Sequence, residues 1–403
     1  MDSSPKAQTR SGRRLLPAGR PPFWPVFGDG VRSEAITARV GSALGIAFGL
    51  CFVTGLLSHY QYAPWGWLPI PAAPAWGYRL SQGTHVITGL VSIPLLITKL
   101  WSVFPKLFEW PPARSVVHAL ERLSIAVLVS ASLVEVGIGL LNILTWYPWR
   151  FSFIDVHHWL AWVVIGSLLL HIAVKLPIIR RGLADPVAGR ITAPEAGSEP
   201  DPETVPAGGI TRRGVLIAGG AGAGIVALTT AGQALTPLHP VALLGVRDPQ
   251  RAPLGVPINR TAAQAGVRQL AVAPTYRLRV TGPTPFELTL DELEALPGVQ
   301  RSLPIACVEG WSAGARWIGV ELMDLVTRAG GNADSRVVLT SLEPDGPYRR
   351  SAISGSQLHA ALLATHLNGQ RLTVDHGYPL RLIAPDRAGV FNTKWLTRIE
   401  VGR

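Results

Sequence analysis

Cysteine is almost absent from this chain: 403 residues carry only Cys51 and Cys307. Two thiols make no disulfide framework, which excludes a small stapled secreted scaffold. Acidic residues are also few, 26 against 37 lysines and arginines, and the net charge is +11. In a soluble chain that excess would suggest nucleic acid. Here the cations sit in short stretches between long apolar runs, so no nucleic-acid partner is expected.

Polar residues are sparse in five segments, each at least about the 20 residues that span a bilayer. They are Val40–Ser58, Gln82–Phe104, Val117–Leu144, His158–Ile179 and Val215–Leu235. Basic residues gather before the first (Arg10, Arg13, Arg14, Arg20, Arg32, Arg39), between the second and third (Lys106, Arg114) and after the fourth (Arg180, Arg181, Arg190, Arg212, Arg213). The alternate loops hold only Arg79 and Arg150 and are aromatic, with Trp65, Trp67, Trp76, Trp146, Tyr147 and Trp149. By the positive-inside rule the N-terminus is cytoplasmic and everything after the fifth span lies outside, in a multi-pass protein of the cell membrane. Thr211–Leu235 opens on a twin arginine and resembles an internally placed twin-arginine export signal.

Ionisable groups inside a membrane are costly and usually functional. His59, His85, His157 and His158 fall at the outer level of the bundle, and His118 and His171 at the inner level. His157 and His171, fourteen positions apart, return to nearly one helix face about 21 Å apart along the axis. That spacing suits two stacked b haems, with His85 and His157 on the outer iron and His118 and His171 on the inner. His158, on the opposite face from His171, is expected at the interface. Glu135 could carry a quinone-linked proton or bond a neighbouring helix. The bundle resembles the di-haem b-type cytochrome subunits that pass electrons to quinone, and that resemblance implies the quinone pool as partner. It departs from them in having no histidine at the start of the first span.

Cys307 is the thiol outside the membrane segments, in CVEGWS followed by WIGVELMDLV. A second run, DHGYPLRLIAPDRAGVFNTKWLTRIEV, spans Asp375 to Val401. Together these closely resemble the sulfite oxidase family of molybdopterin enzymes. The resemblance implies that Cys307 is the catalytic thiolate on molybdenum, and that His376, Arg381, Thr393 and Lys394 bind the pterin and its phosphate. Sulfite oxidases proper carry arginines just after this cysteine; Val308-Glu309-Gly310 looks more like the methionine sulfoxide reductase branch. Arg349 and Arg350 stand where the family forms its substrate wall. Trp311, Trp317 and Trp395 are expected in the core, and His359 and His366 on one helix without a role.

The expected fold is a membrane all-α bundle, four helices plus a fifth anchor helix, followed by an α+β domain of the sulfite oxidase type. Residues 1–38 form a disordered cytoplasmic tail without a cleavable signal, and 39–181 the cytochrome b-like domain. Residues 182–212 form a cytoplasmic Pro/acidic linker, 213–236 the fifth helix, and 240–403 the extracytoplasmic molybdopterin domain. The expected function is oxo transfer on a small molecule or sulfoxide outside the membrane, coupled through b haems to quinone. The alternative is a haem b protein whose outer domain is a non-catalytic binding or assembly module.

Overall fold

The protein is described by a computed structural model over residues 32–65, 67–110, 115–185 and 212–402. Residues 1–31 of the expected tail and nearly all of the linker lie outside the described residues; the rest of the tail is not disordered, since α1 begins at Glu34 behind its Ser33 cap.

Five helices are long and apolar enough to cross a membrane: α1 (Glu34–Tyr62), α2 (Gly77–Leu107), α3 (Val116–Ile143), α4 (Phe153–Ala184) and α5 (Arg212–Ala231). Helices α1, α2 and α4 overrun the expected spans at both ends, and α3 falls within one residue of its own; hydroxyls cap three of the four starts. Ser33, Ser115 and Ser152 accept from the backbone N–H groups of Ile36, His118 and Asp155. Ile46, Val53, Leu57, Ile97 and Leu169 are left exposed on the outside of the bundle, an apolar surface suited to lipid. Inside, α1 packs on α2 and α4, α3 on α4, and α5 on α2. The glycines of α5 permit that last approach, since a Cβ on Gly219 would stand 3.0 Å from Thr98. The fifth helix ends at Ala231, short of Leu235, because Gln233 and Ala234 turn their carbonyls to Ser312 of the following domain.

That domain holds ten strands: β1 (Leu278–Thr281), β2 (Phe286–Leu288), β3 (Val299–Ala306), β4 (Ser312–Glu321), β5 (Val337–Ser341), β6 (Arg350–Ile353), β7 (Leu362–Leu367), β8 (Gln370–Arg371), β9 (Arg381–Ile383) and β10 (Leu396–Val401). One sheet runs β2-β1-β10-β5-β6, with β1 and β10 parallel. The other runs β3-β4-β7-β8, with β9 also on β7. Leu278, Leu322, Leu339, Leu358 and Ile399 fill one core, and Val256, Ile305, Trp311, Trp317 and Leu362 surround Cys307 in the other. The expected shared helix for His359 and His366 is not found. His366 lies in β7, where the short, mostly apolar run LLATHL is as compatible with a buried strand as with a helix.

The sheet domain sits on the end of the bundle where α1 finishes and α2 begins, the end that the charge asymmetry assigns to the outside. Asp386 fixes it there. Helix α2 has no side-chain cap of its own; instead Asp386 Oδ1 accepts from Tyr78 N at 2.5 Å and from Gln61 Nε2 at 2.7 Å. Burial raises the Asp386 carboxyl above its ordinary range, partly offset by these two bonds. An uncharged acceptor therefore serves as well. Asp386→Asn is expected to keep the docking, whereas Asp386→Ala forfeits a cap worth about 1–2 kcal/mol, read as faster protease release of the outer domain.

Candidate functional site

Strands β3 and β4 form an antiparallel hairpin whose turn carries Cys307. The turn is closed by Cys307 N donating to Trp311 O at 2.9 Å and Gly310 N to Cys307 O at 3.0 Å. Gly310 has φ +92, and a Cβ there would come within 2.9 Å of Val86 on α2. A side chain would thus be strained in the turn and would also push it off the membrane helix.

Cys307 is 2% exposed. Loss of water, then the nearby Glu309 carboxylate, push its thiol up to about 12. Without a metal the sulfur keeps its proton; a metal would displace it. Glu309 is itself held by Arg247, through Nε at 2.8 Å and Nη2 at 3.2 Å, and by Trp311 Nε1 at 2.7 Å.

Cys307 opens on a small pocket that also borders Asp375, His376, Arg381, Lys394 and the Pro257–Asn259 segment. Cys307 and Lys394, 87 positions apart and one on each motif, therefore border one pocket. Arg381 is buried over the face of Trp317, with Nη1 donating to the His376 carbonyl at 3.1 Å and Nε without a partner. Burial lowers it to about 10. A buried guanidinium with an unsatisfied donor fits an anionic group. Lys394 Nζ donates to the carbonyls of Arg260 at 2.5 Å and Asp375 at 3.0 Å. This donor set, one thiol with two cations at a closed polar cavity, suits a metal bonded to sulfur and carried on a phosphorylated cofactor.

Burial, then the neighbouring Arg381, hold Lys394 down to about 7, from an ordinary 10.5. Between those values the unfolded chain binds more protons than the folded one, so stability rises with pH across that window. We expect the thermal midpoint of the cofactor-free domain to climb from pH 7 to pH 9. Lys394→Met should flatten the slope, and an unchanged slope in that variant would remove Lys394 as its source.

Two of the expected cofactor residues are engaged elsewhere. His376 reaches the cavity, but its Nε2 donates to Val256 O at 2.9 Å and its Nδ1 faces the Thr373 hydroxyl at 2.8 Å. It shapes the wall. The Thr393 hydroxyl pairs with Ser351 at 2.7 Å. Arg349 and Arg350 do not line this cavity: Arg349 Nε donates to Glu343 O at 2.7 Å, and Arg350 pairs with Glu400 at 2.7 Å.

A larger cavity lies in the half of the bundle nearest the sheet domain, bordered by His85, His157, His59, His158 and Glu135. The His85 and His157 rings stand 5.9 Å apart and nearly perpendicular. His85 Nδ1 donates to Cys51 O at 2.8 Å, which leaves Nε2 as the nitrogen free for a ligand. His157 Nδ1 lies 3.2 Å from Glu135 but makes no hydrogen bond. Each ring occupies room left by a glycine on the next helix: a Cβ on Gly55 would stand 2.8 Å from His85, and one on Gly139 would stand 3.2 Å from His157. The mostly apolar walls and paired imidazoles suit a flat apolar group with a metal at its centre. His158, expected at the interface, borders the same cavity, stacked on His59 with ring centroids 3.8 Å apart. At the inner level, Glu121 pairs with Lys175 and lies within electrostatic reach of His118 and His171.

Val308, the residue after Cys307, also borders the large cavity. Gln82, Asp386 and the Arg247–Glu309 pair were invisible as functional positions in the sequence, since none belongs to either motif in a recognised role.

Residues 264–403 match the model of the oxidoreductase molybdopterin binding domain. A candidate protein-methionine-sulfoxide reductase subunit, YedZ1, from Azospira oryzae is 32% identical, over 36% of this chain and 55% of its own. The protein-methionine-sulfoxide reductase catalytic subunit MsrP of Xanthomonas campestris is 29% identical over 35% of this chain and 49% of its own. Mouse mitochondrial sulfite oxidase is 30% identical over 32% of this chain and 29% of its own. The chain thus spans about half or less of the length of these relatives.

Proposed function

We propose that this chain, whose residues 264–403 are a sulfite oxidase-family molybdopterin-binding domain, is a membrane oxidoreductase that reduces a sulfoxide outside the cell membrane with electrons drawn from quinol through b haem. The observation that carries the reading is the stacking of two sites: the Cys307 cavity sits on the histidine cavity of the bundle, and Val308 links them.

Molybdopterin, when bound, supplies a metal that exchanges an oxo group in two-electron steps, and haem supplies one-electron carriage. Cys307 would give its sulfur to the metal. Arg381 and Lys394 would hold the phosphate, with Trp317 backing Arg381. His85 and His157 would hold the outer haem. His118 and His171 would hold an inner one, beside the Glu121–Lys175 pair. The reaction consumes two electrons and two protons per sulfoxide, giving a thioether and water; quinol oxidation releases both.

Sulfoxide is favoured over sulfite by the surroundings of Cys307. An anionic substrate needs cations of its own, and Arg349 and Arg350, the positions read as substrate arginines, are bonded away from the cavity. Protein-methionine-sulfoxide reductases stand among the relatives beside sulfite oxidases, so it is the surroundings of Cys307 that support the choice.

The reading is tested by anaerobic spectroscopy on the detergent-solubilised chain. Methionine sulfoxide should reoxidise the reduced haem, and sulfite should leave the oxidised haem unchanged. Haem reduction by sulfite would reverse the direction, and no response to either would favour a non-catalytic outer domain.

A further inference from the structure

The turn that carries Cys307 touches the membrane helix through one polar side chain. Gln82, on α2, accepts from Ser58 Oγ at 2.6 Å through Oε1 and donates from Nε2 to Val308 O at 2.6 Å. It is 8% exposed, and both of its polar ends are engaged in opposite directions. His85 follows three positions later, so Gln82 and His85 lie on one face of α2, about a turn apart. Val86, one further position along, is the residue against which Gly310 closes. The covalent path Cys307–Val308 thus meets α2 at a hydrogen bond, and one helical turn leads from there to His85.

Resting on the functional reading above, we propose that Gln82 is the positioning residue for electron transfer between the two sites: its amide holds the Cys307 turn against α2 and forms the polar step between Val308 and the His85 helix. Two electrons from quinol cross this step one at a time for each sulfoxide reduced to thioether and water, with two protons taken up. Asp386 holds the domains together elsewhere, through Tyr78 and Gln61, and the Ala234 carbonyl joins Arg79 to Ser312, so removing the Gln82 bridge alters the contact at the turn without releasing the domain.

The test compares Gln82→Met, of similar length without either bond, and Gln82→Glu, which keeps the acceptor for Ser58 and loses the donor to Val308. Preparations are matched for molybdenum and haem content. Without the Gln82 donor the Val308 carbonyl is left unpartnered and the 307–311 turn is no longer held against α2. Haem reoxidation after a single addition of methionine sulfoxide should slow about tenfold in both variants. Amide hydrogen exchange across 307–311 should rise in the same variants, a readout that needs no turnover, while exchange at Tyr78 stays as in the wild type. Wild-type rates in a matched Gln82→Met preparation, with unchanged exchange at 307–311, would overturn the role of Gln82. A wild-type protein whose haem ignores sulfoxide would instead overturn the reading on which this inference rests.

Discussion

Cys307→Ser is expected to remove sulfoxide reduction, by at least about a thousandfold or roughly 4 kcal/mol of barrier, while leaving the haem spectrum intact. The site already pushes a thiol up to about 12, and an alcohol loses its proton less readily still. A hard alkoxide is also a poorer partner than thiolate for a metal that must cycle by two electrons. The neighbours Ile305, Trp311 and Trp317 are buried and offer no replacement ligand. Serine is nearly the size of cysteine, so the hairpin should fold, at a cost of about 1–3 kcal/mol for a hydroxyl placed among apolar groups. The check is turnover with a dye reductant, beside the haem difference spectrum of the same sample. Normal turnover would withdraw Cys307 from the metal.

Removing either imidazole of the outer pair should be equally decisive at the other site. His85→Ala is expected to lose about half of the haem b absorbance, one of the two haems expected from bis-histidine ligation at two levels. Dye-linked sulfoxide reduction at the outer domain should persist, but quinol-linked reduction should not. His157→Ala should lose the same haem. The geometry favours this pair over His59 and His158, whose rings lie 3.8 Å apart face to face and leave no room between them for a macrocycle. His171→Ala should lose the inner haem instead. Full haem content in His85→Ala would withdraw His85 as a haem ligand.

The membrane helices were legible because lipid demands long apolar runs, and the Cys307 cavity was legible because its chemistry demands particular residues. Cys307, Arg381 and Lys394 meet where their motifs imply. Other positions depended on packing that a linear reading does not contain. His158 was placed away from His157 by helical phase, yet both border the cavity. His157 faces Glu135 and Gly139 of α3, whereas His158 faces His59 of α1, and the space between those helices spans both directions. Arg349 and Arg350 stand at the family's substrate-wall position in the sequence, but Arg350 enters β6, where its side chain reaches Glu400 of β10 across the sheet. Gln82 and Asp386 could not be singled out, because their partners lie 226 and 308 positions away. A polar residue at a helix start gives no sign of which distant loop it will meet.

The most direct test of the whole account is the molybdenum and haem iron content per chain of one detergent-purified sample, with its redox difference spectrum. About one molybdenum and two b haems per chain are expected, as one thiolate site and two histidine pairs require. Haem without molybdenum, in fully exported protein, would contradict the oxidoreductase reading, and molybdenum without haem would reduce the bundle to an anchor.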